Sequence, residues 1–335
     1  MSDAPTDWTI GRLIEWTRTF FEKKDIPQPR LEAEILLAHV LGLERISLYL
    51  QYDQAVGEEV RAAFRDLVRR RAGREPTRYL TGACEFMSLA LKVTPACLIP
   101  RPETEQLVEE VLRLAGVRRR PPVALGPAAE DYGTVGPGEE SPAPCPGVAC
   151  GEAGPAAAAP LAAIDLCTGC GCIAVGLAAY LPGIRVAATD ISREALEVAR
   201  ANAEAHGVAD RITLLEGDLY EPLDAADAAP ADFLVANPPY VAEAEWETLQ
   251  PEIRDHEPRA ALVAGPTGTE IIERILRGAP AYLRPGGRLL VEIGAEQGEM
   301  AARMAGAVRG LGDVRVLKDY AGLDRILLAR REEPR

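Results

Sequence analysis

The chain has no apolar run approaching the roughly 20 residues that a membrane span requires. Its first residues, Met1-Ser2-Asp3-Ala4-Pro5-Thr6-Asp7, lack a basic segment followed by an apolar one, so no secretory leader is read there. Positive charge is in deficit. Against 51 Asp and Glu stand 37 Lys and Arg, and the net charge of −14 opposes non-specific attraction to nucleic-acid phosphates. The 7 cysteines are an odd number, and three crowd into 167–172, which is no disulfide framework. These absences point to a reduced, cytoplasmic, soluble protein. With 335 residues, 47% of them hydrophobic, two domains and a substantial core are expected.

Residues 1–76 read as a helical domain. Leu13, Ile14, Trp16, Thr17 and Phe20 recur at helical spacing, then Leu31, Ile35, Leu36 and Val40, with Gly42 as a stop. A further helix from about Glu58 to Ala72 carries Arg61, Arg65, Arg69, Arg70 and Arg71, with Arg74 just beyond. This arginine face is either a solvated surface or a dock for an acidic partner or RNA. Residues 77–102 change character. Tyr79-Leu80-Thr81-Gly82 and the alternation in Leu89-Ala90-Leu91-Lys92-Val93 predict a β-hairpin linker. Pro100 and Pro102 then precede a helix beginning near Glu103 and ending about Gly116.

Residues 118–160 break the pattern. The stretch 121–160 holds 9 Pro, 7 Gly, 10 Ala, five acidic residues and no Lys or Arg, too little apolar surface to offset ordering entropy, so a disordered insert is expected. From Leu161 strands and helices alternate. Strands are predicted at 161–166, 184–189, 211–216, 231–236 and 287–293, helices near 171–180, 193–206, 269–283 and 296–308, and a closing hairpin at 313–319 and 324–330. Repeated βα units imply a mainly parallel sheet covered on both faces, and the hairpin makes it mixed, so the class is α/β.

Chemistry gathers at the predicted strand ends. Asp165-Leu166-Cys167-Thr168-Gly169-Cys170-Gly171-Cys172 is a strand entering a glycine turn and then a helix; Gly169 and Gly171 let the backbone approach a ligand at the helix N-terminus. The third glycine of the dinucleotide fingerprint is missing, which argues against NAD. Asp190 ends the next strand and suits the two hydroxyls of a ribose. After the third strand, Asp218 suits an adenine amine and Leu219 an apolar wall against the base. Each aspartate taken alone is equally an Asx turn or helix cap. The fourth strand ends in Asn237-Pro238-Pro239-Tyr240. Two prolines offer only carbonyl oxygens on a rigid backbone, Asn237 adds a side-chain oxygen, and Tyr240 adds a flat wall, a set suited to holding a planar NH2 group.

Taken together, Asp165-Leu166-x-Thr168-Gly169-x-Gly171, Asp190, Gly217-Asp218 and Asn237-Pro238-Pro239-Tyr240 resemble a class I S-adenosylmethionine methyltransferase. Leu98-Ile99-Pro100-Arg101-Pro102-Glu103-Thr104-Glu105 narrows the resemblance to the HemK/PrmC family of protein-glutamine N5 methyltransferases. Arg74-Glu75-Pro76-x-x-Tyr79-Leu80-x-Gly82, Glu85-Phe86, His256-Glu257-Pro258-Arg259-Ala260-Ala261-Leu262 and Ala321-Gly322-Leu323-Asp324-Arg325 extend it over nearly all the chain outside 117–160. The departures are that insert and the cysteines at 167, 170 and 172. The resemblance implies a Rossmann-like domain over 103–335 with a mixed seven-stranded sheet, S-adenosylmethionine as cofactor and S-adenosylhomocysteine as product. It implies peptide chain release factors as protein substrates, methylated on the glutamine of a Gly-Gly-Gln motif, in support of translation termination. It places Cys167, Thr168, Gly169, Cys170, Gly171, Asp190, Leu219 and Asn237 around the cofactor. The substrate glutamine would lie against Asn237, Pro238, Pro239 and Tyr240, and Asn237, Pro238 and Tyr240 would carry the reaction.

Other expectations follow from single residues. Glu103 and Glu105 would cover the cofactor's methionine end or simply favour a helix N-terminus, and Glu292, ending a core strand, would reach the pocket. Cys167, Cys170, Cys145 and Cys150 would form a zinc site only if both pairs converged; loop-filling thiols, with no metal, are the preferred reading. The chain is expected to be monomeric, free of membrane and of sequence-specific nucleic-acid contacts. The rivals are a ribosomal-protein glutamine methyltransferase, a DNA adenine-N6 methyltransferase, which would need a basic cleft, and a non-catalytic docking module.

Overall fold

The computed structural model describes residues 8–117, 160–226 and 228–333. The expected disorder of the Pro/Gly/Ala-rich insert falls, but for residue 160, outside the described residues. The N-terminal part is helical: α1 (Ile10–Glu22), α2 (Pro29–Leu41), α3 (Arg45–Leu50), α4 (Glu58–Ala72) and α5 (Thr77–Thr81). Thr9 caps α1 by accepting from the Arg12 N–H. Gly42 ends α2 in the left-handed conformation, φ 64°. The inward faces of these helices, among them Ile14, Phe21, Leu36, Leu37, Phe64 and Val68, form one apolar core.

The linker corrects one expectation. Tyr79, Leu80 and Thr81 are helical, in α5, which Pro76 precedes and the left-handed Gly82 ends. The hairpin itself is shorter, β1 (Ala83–Phe86) against β2 (Leu89–Lys92). Its turn forces Met87 and Ser88 to φ 53° and 63°, a conformation costly for side chains with a Cβ. The turn is held from outside: the Met87 N–H donates to Glu105 at 2.7 Å, and the Tyr180 hydroxyl donates to the Met87 carbonyl. Glu105, read either as a cover for the cofactor or as a favourable acid at a helix N-terminus, lies in the first turn of the helix over Pro102–Leu114 and clamps the hairpin.

The remaining elements alternate: α6 (Pro102–Leu114), β3 (Ala162–Leu166), α7 (Cys172–Tyr180), β4 (Arg185–Asp190), α8 (Arg193–Ala205), β5 (Ile212–Glu216), α9 (Glu221–Ala225) and β6 (Ala231–Ala236). There follow β7 (Val241–Ala242), α10 (Pro251–Arg254), β8 (Val263–Gly265), α11 (Glu270–Tyr282), β9 (Leu283–Glu292), α12 (Gly298–Ala307), β10 (Leu311–Lys318) and β11 (Asp324–Arg331). Seven strands make the main sheet, in the order β10-β11-β9-β6-β3-β4-β5. β3 to β6 and β9 pair in parallel; β11 runs antiparallel between β9 and β10. The sheet is buried on both sides, and the period of two sorts its residues between two cores. Phe233 and Val235 of β6 face the hairpin, α6 and α7, whereas Leu234 and Ala236 face α11 and α12.

The order carries the site. The chain enters at β3, moves out through β4 to β5, then returns to β6 on the other side of β3. Leu166 and Ala236, the last residues of β3 and β6, are direct partners. The loops that follow them therefore open side by side at a switch point, where ligands of open α/β sheets bind.

The arginine helix is largely accounted for by acids of this chain. Arg61 and Arg65 pair with Glu58, Arg69 with Asp66, and Arg70 with Glu75. Arg71, buried, meets Glu32 at 2.9 Å and Glu252 at 3.1 Å, and Arg74 meets Glu252 at 3.2 Å. Two of the residues read as a possible docking face thus tie the helical part to the segment beyond β7.

Candidate active site

β3 delivers its turn through three left-handed residues, Cys167 (φ 60°), Gly169 (φ 56°) and Gly171 (φ 81°). The two glycines answer different needs. A Cβ at Gly171 would lie 3.0 Å from that of Ala199, so its absence lets α8 pack against the loop; a Cβ at Gly169 would meet open space, and there only the backbone angle asks for glycine. Asp190 ties the turn to β4: its Oδ2 accepts from the Gly169 N–H at 2.8 Å and its Oδ1 from the Ser192 N–H at 2.9 Å. Asp165 lies beneath. Its Oδ2 accepts from Thr168 Oγ1 at 2.6 Å and from the Ala174 N–H at 3.1 Å, while its Oδ1 is buried without a partner among the described residues. Burial pushes this carboxyl up to about 7.

These elements frame a cavity of about 490 Å³, within the range of small-molecule and cofactor sites. Of the residues expected around it, Cys167, Thr168, Gly169, Cys170, Asp190, Asp218, Leu219, Asn237 and Pro239 line it; Gly171, Pro238 and Tyr240 do not. Asp218 has one oxygen committed, since Arg274 reaches its Oδ2 at 2.8 Å. The sequence reading missed a second wall. Cys97, Leu98 and Pro100 approach from the segment before α6, Ala260 and Ala261 from the loop before β8, and the exposed Ile191 follows Asp190. Glu257 joins two of these segments, accepting from Arg101 at 2.5 Å and from the Ile99 N–H at 3.2 Å. The fragments around Pro100 and Glu257, which resemble family segments, were visible, but nothing in their spacing said that they meet.

The five cysteines among the described residues are free thiols. The Cys97 thiol donates to the Thr94 carbonyl at 3.3 Å; the neighbouring Cys170 and burial raise it above the ordinary thiol range, and the neighbouring Cys172 and burial raise Cys170. No group of three or more His, Cys, Asp or Glu among the described residues is placed to hold a metal ion. Cys145 and Cys150, the other half of the zinc reading, lie outside the described residues.

At the end of β6, Asn237 is held from one side only. Its Nδ2 donates to Thr104 Oγ1 at 3.1 Å, and Thr104 Oγ1 donates to Glu292 Oε2 at 2.7 Å. Its Oδ1 is buried with no hydrogen-bond partner among the described residues. Thr104 and Glu292 are each 1% exposed, and burial pushes Glu292 up to about 7. The Tyr240 hydroxyl lies 3.5 Å from Glu292 Oε1, and the Tyr240 carbonyl accepts from Gln297 Nε2 at 2.9 Å. Glu292 therefore stands behind Asn237 and Tyr240 and does not line the cavity.

A Rossmann-like sheet with a glycine turn after its first strand, an acid after its second, and a cavity reaching the Asn-Pro-Pro-Tyr end of its fourth defines a class I S-adenosylmethionine-dependent methyltransferase. The residues fit that cofactor: a Cβ at Gly169 would meet open space, so the turn leaves room for a ligand, the cavity of about 490 Å³ suffices, and Asp190, Asp218 and Leu219 line it. Residues 12–82 match the PrmC N-terminal domain family and residues 157–253 the methyltransferase small domain family. The release factor glutamine methyltransferase of Rhodopirellula baltica is 39% identical over 322 residues, covering 96% of each chain. That of Geobacter sulfurreducens is 40% identical over 330 residues, 98% of this chain and 99% of its own. The chain belongs to the release factor glutamine methyltransferase family. The catalytic domain of hMettl16, solved with an RNA hairpin, superposes with a TM-score of 0.52 over 80% of this chain and 83% of its own at 17% identity, a likeness of fold alone.

Proposed function

We propose that this chain methylates the side-chain amide nitrogen of the glutamine in the Gly-Gly-Gln motif of peptide chain release factors. The observation that carries this reading is the buried, unpartnered Oδ1 of Asn237 at the end of β6, beside the cavity. An acceptor left open in a dry site is costly, and an NH2 donor entering from the substrate relieves it. In this reading residues 1–76 grip the release factor, residues 77–102 link, and residues 103–335 carry the chemistry in a cytoplasmic monomer. Among the described residues no helix is long and apolar enough to cross a membrane.

The cofactor, which would be held by Cys167 to Cys170, Asp190, Asp218, Leu219 and Asn237, with Gly171 shaping the turn, would supply an electrophilic methyl group. The protein's task is alignment. A glutamine amide nitrogen is a poor nucleophile because its lone pair is delocalised into the carbonyl. Asn237 Oδ1 and the Pro238 carbonyl accept its two N–H bonds, pin the nitrogen and favour pyramidalisation. Tyr240 packs on the flat amide and excludes water, with Pro239 alongside. The bound cofactor would supply the methyl group to the nitrogen so held, and the extra proton, acidic only once the nitrogen carries positive charge, would be lost to solvent, so no strong base is needed beforehand. That suits a site in which Tyr240 is itself raised to about 12 by burial and stays neutral.

The test is peptide mass spectrometry of a release factor incubated with the protein and S-adenosylmethionine. The expected product is one methyl on the Gly-Gly-Gln glutamine. Asn237→Ala should abolish it, lowering kcat by about 100-fold or more, as loss of an oriented group does, while S-adenosylhomocysteine binding changes much less. Methyl transfer to a ribosomal protein or to DNA instead would overturn the substrate.

A further inference from the structure

We infer that Thr104 and Glu292 are positioning residues that fix the polarity of the Asn237 amide, so that its oxygen and not its NH2 meets the substrate. The inference rests on the function proposed above. An asparagine amide presents an acceptor or two donors to the same point depending on a half-turn about its last bond. Pro238 and Pro239, having no N–H, offer no backbone donor that would choose between them. Thr104 does. Its single hydroxyl proton is given to Glu292 at 2.7 Å, which leaves its oxygen only accepting towards Asn237, and the Asn237 Nδ2 lies 3.1 Å from it. A turned amide would set Oδ1 against the Thr104 lone pairs and NH2 towards the substrate amine. The chain Glu292–Thr104–Asn237 thus carries a carboxylate's demand for a proton from the end of β9, through the first turn of α6, to an acceptor that follows β6 and faces the substrate.

The polarity holds only while Glu292 accepts. Once protonated, it can donate to Thr104, whose own proton is then free to turn to Asn237 Oδ1 and favour the unproductive rotamer. The groups facing Glu292 are Thr104 and Glu103 from α6, Tyr240 after β6, and Arg325 from β11, itself paired with Asp319 at 3.2 Å. Burial sets the carboxyl to about 7, so the proton is exchanged in the working range of pH.

The experiment measures kcat on a release factor, and S-adenosylhomocysteine affinity, for wild type, Thr104→Val, Thr104→Ser and Glu292→Gln. Thr104→Val removes the acceptor and should lower kcat by roughly 5- to 150-fold, the population factor an orphaned buried donor imposes, with cofactor affinity nearly unchanged. Thr104→Ser, which keeps the hydroxyl, should recover to within about threefold of wild type, a rescue that loss of packing alone would not give. In wild type kcat should rise with pH through about 7, the value burial gives Glu292, and this limb should vanish in Glu292→Gln. Wild-type turnover with Thr104→Val, or a pH limb surviving in Glu292→Gln, overturns the inference and leaves the proposed function standing. A wild type that leaves release factor unmethylated overturns the proposed function. The inference is then decided by the Asn237 side-chain NH2 resonances of the protein with S-adenosylhomocysteine. Those must shift between about pH 6 and about pH 8 in wild type and not in Glu292→Gln; any other pattern refutes it.

Discussion

Asp190→Asn is a near-isosteric change with a calculable penalty. Both carboxylate oxygens accept backbone N–H groups, from Gly169 at 2.8 Å and Ser192 at 2.9 Å. An asparagine has one oxygen, so whichever way it turns its NH2 confronts one of these donors. A hydrogen bond to a charged acceptor contributes about 1.5–3 kcal/mol, and the orphaned N–H costs about 1–3 kcal/mol. Part of this is returned, because burial already penalises the charge and raises the pKa of Asp190. A net loss of about 2 kcal/mol in the order of the glycine turn remains. Loss of the ribose-hydroxyl acceptor that the proposed cofactor site assigns to Asp190 adds about 1 kcal/mol. Their sum corresponds to roughly a 100-fold rise in Kd for S-adenosylhomocysteine, read by calorimetry, with a lower Tm for the ligand-free protein. Asp218→Asn is the control. Its carboxylate is 42% exposed and paired with Arg274, and an exposed pair is worth about 0–1 kcal/mol, so Kd should rise less than about fivefold. A Kd for Asp190→Asn within about threefold of wild type, or a larger effect at Asp218, would refute the argument that the turn is held by Asp190.

The remaining predictions concern stability. Arg71→Met breaks a buried ion pair set; such breaks cost about 3–5 kcal/mol, reduced to about 2 here because Glu252 retains Arg74 and Glu32 retains Thr77. Calorimetry should show a lowered or split unfolding transition, whereas Arg69→Met on the exposed face should change stability by less than about 0.5 kcal/mol. Asp165 and Glu292, both raised to about 7 by burial, bind protons more tightly folded than unfolded. Their contribution is therefore fully present below the unfolded carboxylate range and is lost as pH rises from there through about 7, at most about 4 kcal/mol for Asp165 and about 3 kcal/mol for Glu292. Tm should fall between about pH 4 and about pH 7, and the double variant Asp165→Asn, Glu292→Gln should flatten that slope; an unchanged slope would count against buried carboxyls as its source.

What the sequence disclosed follows the range of the interactions. β6 was readable to the residue because its six positions are all buried and a Pro-Pro pair stops it. The glycine turn was readable because left-handed residues concentrate in few types; Cys167 stood out as a departure in residue type, but a cysteine gives no sign of the φ of 60° that it adopts. The hairpin was placed within a few residues, but Tyr79 to Thr81 were misread, since a five-residue helix carries too little periodicity to tell from a strand. Arg71 could not be separated from its neighbours on α4, because what distinguishes it is Glu252, 181 residues away.

The site divides along the same line. Residues whose part lies in the backbone need special conformations, and these leave marks in sequence: Gly169 and Gly171 in the turn, Pro238 and Pro239 after β6. Residues that act through a side chain on another side chain leave none. Thr104 was passed over in favour of the acids beside it, because a threonine in the first turn of a helix is unremarkable until its hydroxyl is seen between Asn237 and Glu292. Yet it decides what Asn237 offers. An asparagine after a strand specifies only that an amide is present; whether that amide accepts or donates is a property of the chain of hydrogen bonds behind it. On the inference drawn above, recognition of an NH2 group is encoded in Glu292 and Thr104 as much as in the tetrapeptide that announces it. A chain keeping Asn237 to Tyr240 but carrying valine at 104 should hold the cofactor and methylate poorly.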